Sequence, residues 1–149
     1  MGVLKQSIIM RPLKKIFVDT SAFYALLDRS DPHYIDASTF WPDLLQDHIT
    51  LVTSNYVIGE TTSLLQSRIS FEAARLWYRD ILGIMEIEWV NPEIHQRAYE
   101  LWLNLGSRHI SLVDCVSFVV MLQKEIEAVF CFKSHFIDHG FALVDAKKL

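Results

Sequence analysis

Short apolar runs rich in β-branched and aromatic residues alternate along this chain with longer segments whose apolar residues recur at helical spacing. KIFVD (Lys15–Asp19), TLVTS (Thr50–Ser54), MEIEWV (Met85–Val90), AVFCF (Ala128–Phe132) and FALV (Phe141–Val144) read as strands. A helix follows Asp19, with Thr20 or Ser21 as its expected cap. A second runs from His33 to Asp47, after the turn signal SDPHY. Others start at Ser54–Asn55, at Ser70 (to about Leu82), at Asn91-Pro92 and at Ser111; Gly106 stops the one opened by Pro92, a residue suited to the first helical position. Strands separated by helices imply a parallel sheet covered on both faces. We therefore expect an α/β chain, three layers deep (α/β/α), with a central parallel sheet of about four to five strands. Residues 1–149 read as one domain with no repeat, linker or low-complexity segment, and Met1 to about Pro12 as a loosely held leader.

With 149 residues, 51% of them hydrophobic, the chain can support a sizeable core; at this size about 68–70% of the unfolded surface can be buried. Its 14 basic and 18 acidic residues give a net charge of −4, so the whole chain carries no electrostatic footprint for nucleic acid, though a local basic patch remains compatible with it. The longest apolar runs, such as VSFVVML, fall short of the roughly 20 residues that span a bilayer. The N-terminus has no apolar signal core, and Gly2 lacks the Ser or Thr of a myristoylation site. Cys115 and Cys131 stand in apolar surroundings without zinc or redox spacing, and read as buried reduced thiols. Together these point to a cytoplasmic protein with no membrane association.

Three acids have apolar or small neighbours where a solvated residue would be ordinary. Asp19 ends the first strand, Glu60 lies within YVIGETTSLL, and Asp114 within SLVDCVSFVVM. In open α/β sheets ligands bind outside the carboxyl ends of the strands, where Asp19 and Glu60 converge; the local pattern alone does not bring Asp114 beside them. Each has a bland role: Asp19 and Asp114 as helix caps, Glu60 on a solvated helix edge. Gathered in one low-dielectric cleft, three carboxylates would repel, and one would stay protonated unless a cation neutralised them. Oxygen ligands suit Mg²⁺ or Mn²⁺, and such an ion activates water and stabilises charge on phosphoryl oxygens.

The stretches FVDTSAFYALLDRSDPHY, SNYVIGETTSLL, SLVDCVSFVVM and FCFKSHFIDHGF, in this order from about Lys14 to Val144, resemble the successive signatures of PIN domains, most closely the VapC-type ribonuclease toxins. The resemblance implies a parallel sheet flanked by helices and a Mg²⁺- or Mn²⁺-dependent endoribonuclease acting on RNA. It implies Asp19, Glu60 and Asp114 as catalytic acids and metal ligands, with Thr20 or Ser21 assisting through hydrogen bonds. It further implies a cognate antitoxin that inserts a segment near the cleft, and a homodimer.

The chain departs from the family pattern at the fourth signature. Where T-F-D-x-x-F is usual, CFKSHF places Lys133 at the acidic position and Cys131 at the hydroxyl position; Val113 stands where Thr or Ser commonly precedes the third acid. A lysine there can pair with a carboxylate and compete with a metal ion, or reach out to an RNA phosphate. The alternative function is accordingly a catalytically weakened module that binds RNA or protein. His135 and Asp138 read as parts of a structural turn, and His33, after Pro32, as a surface-loop histidine. Arg68, Arg75, Arg79, Arg97 and Arg108 are candidate phosphate contacts, although solvated helix faces explain most of them equally well; Arg108, with His109, is the best placed, just before the Ser111 helix. Trp77 and Trp102 read as packing residues rather than base-stacking ones, and FEAARLWYRDIL carries more apolar coverage than one core stripe needs, which suggests a dimer face.

Overall fold

The computed structural model describes residues 14–144; the expected leader lies outside the described residues. Five strands form one sheet: β1 (Lys14–Val18), β2 (Ile49–Ser54), β3 (Glu86–Glu88), β4 (Ala128–Phe130) and β5 (Ala142–Leu143). Their order is β3-β2-β1-β4-β5, with every neighbouring pair parallel. Lys14 stands opposite Ile49 and Ile16 opposite Ala128, so β1 is paired on both edges. Ile16, Phe17 and Val18 are fully buried, as a central strand covered on both faces requires.

Among the described residues, seven α-helices surround the sheet: α1 (Thr20–Leu27), α2 (Tyr34–Leu44), α3 (Asn55–Arg68), α4 (Phe71–Leu76), α5 (Pro92–Leu105), α6 (Leu112–Gln123) and α7 (His135–Asp138). Local chemistry sets their limits. Ser54, Ser70, Asn91 and Ser111 each cap a helix by accepting from a backbone N–H three residues on. Gly106 ends α5 at φ 53°, a left-handed geometry that favours glycine. α6 is buried without a break from Asp114 to Met121, which is why its sequence has no amphipathic stripe.

Three expectations need correction. The cap of α1 is Asp19, not Thr20 or Ser21: the Asp19 carboxylate accepts from the Ser21 N–H, and both hydroxyl residues lie inside the helix. α2 stops at Leu44 rather than Asp47, where the last turn tightens and the Leu45 N–H donates to the Pro42 carbonyl three residues back at 3.3 Å. The segment after Ser70 is not one α-helix. After Leu76 it widens into a π-helical turn over Trp77–Ile81, then tightens to a 3₁₀ turn over Leu82–Ile84. The wide turn brings Leu82, not Ile81, onto the buried face below Trp77, and leaves Phe71 and Tyr78 exposed.

Trp77 is fully buried, with its ring edge-on to Phe23 of α1 at 5.2 Å between centroids. It is the bolt between the α4 region and the helix that starts at Asp19. Trp77→Ala should destabilise the protein by about 3–5 kcal/mol, the usual cost of deleting a buried large aromatic, measured by urea unfolding.

Candidate active site

β1 leads outward to β2 and β3; the chain then crosses back to place β4 on the other side of β1. The strand order therefore reverses between β1 and β4, and the crevice beyond their carboxyl ends is the position at which such sheets bind ligands. Asp19 leaves β1 at that crevice, and its N–H still donates to the Phe130 carbonyl at 3.1 Å.

The Asp19 carboxylate is fully buried. Its Oδ2 accepts from the Ser21 N–H at 3.1 Å and from the Ser21 hydroxyl at 2.7 Å. The same hydroxyl accepts from the Phe132 N–H at 3.0 Å. Ser21 thus ties the exit of β4 to the acid at the end of β1. Oδ1 has no hydrogen-bond partner although it is buried, and an unsatisfied buried carboxylate oxygen is costly unless a cation or donor meets it.

Asp114 lies at the N-terminus of α6 and is almost fully buried. It forms a capping box with Ser111: its N–H donates to Ser111 Oγ, and its Oδ2 accepts from the Ser111 N–H, both at 3.0 Å. The cap role and the site role coexist, because Oδ1 points to Lys133 Nζ at 3.5 Å. His135 Nδ1 stands 3.6 Å from Oδ2. Glu60 is partly buried on α3. Burial pushes its carboxyl above the usual value; Lys133 and a hydrogen bond with Thr20 work against that push, while Asp19 and Asp114 add to it. Thr20 is held in turn by a bond from the buried Thr61 hydroxyl at 3.1 Å.

The acids at 19, 60 and 114 thus share one electrostatic neighbourhood with Lys133 in its midst. Burial alone would lower the lysine, but the combined negative charge of Asp19, Asp114 and Glu60 holds it above its ordinary value, so it stays an ammonium. The donors are carboxylate oxygens, one of them the unpartnered Asp19 Oδ1, the ligand type that suits a hard divalent ion such as Mg²⁺ or Mn²⁺. Among the described residues, no three His, Cys, Asp or Glu side chains already stand together as a finished metal site. The ammonium is the closest cation to Asp114, so an ion would share these carboxylates with it.

A cleft of about 240 Å³ opens onto this cluster, with Glu60, Lys133, Thr20 and Ser21 at one end and Tyr24, His33, Arg68 and Phe132 around the rest. A larger groove of about 480 Å³ between α3 and α4 lies away from the acids, beside Phe71 and Tyr78. Arg108 and His109 are exposed between α5 and α6, and Arg108 lines a separate depression beside Trp102. The structure does not bring that arginine to the walls of the acid cleft. His135, read as a turn residue, does reach the site, because the short helix α7 turns its first residue toward Asp114. Arg68, one of the candidate phosphate contacts, lines the acid cleft, and Tyr24, which had not been singled out, lines it too. Their signal was in the helical period: Arg68 lies two turns along α3 from Glu60, and Tyr24 about one turn along α1 from Ser21.

Cys131 stands against the same acids. Burial, with the charges of Asp19 and Asp114, takes its thiol up to about 12, and burial takes Cys115 up to about 11. Both are buried and free, as expected from the sequence. Neither should react with iodoacetamide at pH 8 in the folded protein, while both should react fully in denaturant, as counted by intact mass.

Residues 16–141 match the family described as PIN domain. The chain is 33% identical over 130 residues to the 23S rRNA-specific endonuclease VapC20 of Mycobacterium tuberculosis, covering 87% of this chain and 97% of that protein. The crystal structure of that toxin, described as cleaving the sarcin–ricin loop, superposes with a TM-score of 0.76 at 32% identity, over 85% of this chain and 96% of the other. VapBC2 of Rickettsia felis, bound to a promoter DNA fragment, shares the fold at 13% identity, with a TM-score of 0.64 over 87% and 97% of the two chains.

Proposed function

The chain belongs to the PIN-domain family, and on that premise we propose that it is an endoribonuclease, the toxin of a toxin–antitoxin pair, that hydrolyses RNA phosphodiesters with one Mg²⁺ or Mn²⁺ at Asp19, Glu60 and Asp114. The observation that carries this reading is the buried, unpartnered Asp19 Oδ1 at the sheet's switch point, on an acid close enough to Glu60 to act on it electrostatically together with Asp114. The relative that cuts 23S rRNA makes ribosomal RNA the favoured substrate class.

Asp19 and Asp114 would be the anchoring ligands and Glu60 a ligand directly or through water. When bound, the ion would lower the pKa of a water and neutralise charge on the phosphoryl oxygens. The protein's own groups supply the rest. Ser21 fixes Asp19 through Oδ2 and leaves Oδ1 free for the cleft. The Ser111 capping box aims Asp114 in the same way. Glu60, raised by burial, is suited to orient the attacking water and take its proton. Lys133 offsets one of the negative charges of the unloaded cluster and offers a fixed positive charge where negative charge grows on the phosphate.

The second reading rests on the same lysine. If its ammonium excludes the ion, the chain is a metal-poor module that binds RNA or protein. The remaining elements of the proposal are a single domain, a homodimer through the exposed apolar face at Phe71 and Tyr78, an antitoxin partner and a cytoplasmic site of action. No helix among the described residues is long and apolar enough to cross a membrane.

Purified protein should cut ribosomal RNA with Mg²⁺ or Mn²⁺ and stop in chelator, and Asp19→Asn should slow cutting by on the order of 10²–10³, read by gel. Two charges a few Å apart near a protein surface interact by about 4 kcal/mol. Lys133→Asp should therefore tighten Mn²⁺ binding by at least about tenfold in calorimetry. Wild-type protein that is inert where Lys133→Asp cuts would replace the enzyme reading with the binding-module one.

A further inference from the structure

We propose that the outer part of the acid cleft is a nucleotide subsite, in which His33 stacks on a base of the RNA and Arg68 holds a neighbouring phosphate. This rests on the endoribonuclease reading and goes beyond it, since it assigns the residues that position the strand.

His33 lies flat on Phe132, with ring centroids 4.5 Å apart and planes within 9° of parallel. Phe132 is partly buried and His33 is exposed, so the outer face of the imidazole extends the stack into solvent. The pair is fixed on both sides. The Phe132 N–H is bound to Ser21, which itself binds Asp19. On the other side, the His33 N–H donates to Asp31 Oδ1 at 2.8 Å, and Asp28 Oδ1 accepts from the Ser30 N–H and hydroxyl at 2.9 and 2.6 Å. Two consecutive side-chain turns thus hold the loop before α2 in one shape. A platform that is already ordered loses little entropy when a base lands on it.

The opposite wall is cationic. The Arg68 guanidinium sits 5.7 Å from the centre of the Tyr24 ring, and both residues line the cleft. Glu60, Leu64 and Arg68 succeed one another at i, i+4 and i+8 on α3, so the wall runs about 12 Å from the acids to the arginine. Asp31 on the His33 side disfavours a phosphate there, while Arg68 favours one on its own side. The polarity of the cleft thus separates base from phosphate, and the Phe132–Ser21–Asp19 chain of contacts fixes the stacked base relative to the reacting centre.

The test uses a short fluorescein-labelled single-stranded RNA of mixed sequence and the full chain as Asp19→Asn, with fluorescence anisotropy as the readout; wild-type protein in chelator repeats it. His33→Ala should weaken binding about 5- to 100-fold, the range of one base–aromatic stack, and His33→Phe should restore it. An RNA of the same length with abasic positions should bind His33→Ala and its parent alike. Arg68→Gln should weaken binding and lower the slope of log K against log salt by about one. Both side chains are exposed, so unchanged melting curves should accompany these losses. If the parent binds the RNA and His33→Ala binds it equally well, or if His33→Ala loses intact and abasic RNA to the same degree, the subsite falls and the nuclease reading stands. If neither protein binds RNA and wild type cuts none, both fall together.

Discussion

The buried negative charge at the end of β1 sets the terms for everything around it. A strand that is apolar through Val18 must end with its next side chain pointing out of the sheet's carboxyl edge, and here that side chain is Asp19. An ionised group in that position demands donors. The chain supplies them asymmetrically: two reach Oδ2 from Ser21, and none reaches Oδ1. The asymmetry ties one oxygen into the start of α1 and leaves the other buried without a partner.

The same division recurs at Asp114. One oxygen closes the α6 cap, and the other faces the ammonium of Lys133. Both acids are therefore aimed by the helices they begin, not by flexible loops. Preorganisation of this kind is what a site that stabilises developing charge requires. Lys133 adds a counter-charge belonging to the protein itself, so the acids can remain ionised before any ion arrives. The cost of that arrangement is competition for the carboxylates.

Much of the fold was legible because its boundaries are chemical. Ser54, Asn91-Pro92, Gly106 and Ser111 announce helix ends by mechanisms that act within a few residues, and the structure uses each as read. The five strands also stand where β-branched runs placed them, within one or two residues at most ends. What stayed hidden depends on distant partners. The π turn at Trp77 answers to the packing of Phe23, more than fifty residues earlier, and leaves no periodic trace. The approach of Asp114 to Glu60 needs the crossover from β3 to β4, which no local pattern encodes. Asp19 was legible as a cap, and the structure adds that the cap uses one oxygen and leaves the other without a partner.

The hydrogen bond from the Phe132 N–H to Ser21 joins residues 111 positions apart. During synthesis the first acid emerges long before the strand that closes the crevice and the lysine beside Asp114. Domains that depend on such non-local pairing complete themselves late. A chain cut short before β4 would thus carry Asp19 without its enclosure. Strand order in this molecule thus makes the assembled cleft depend on a strand made long after the first acid.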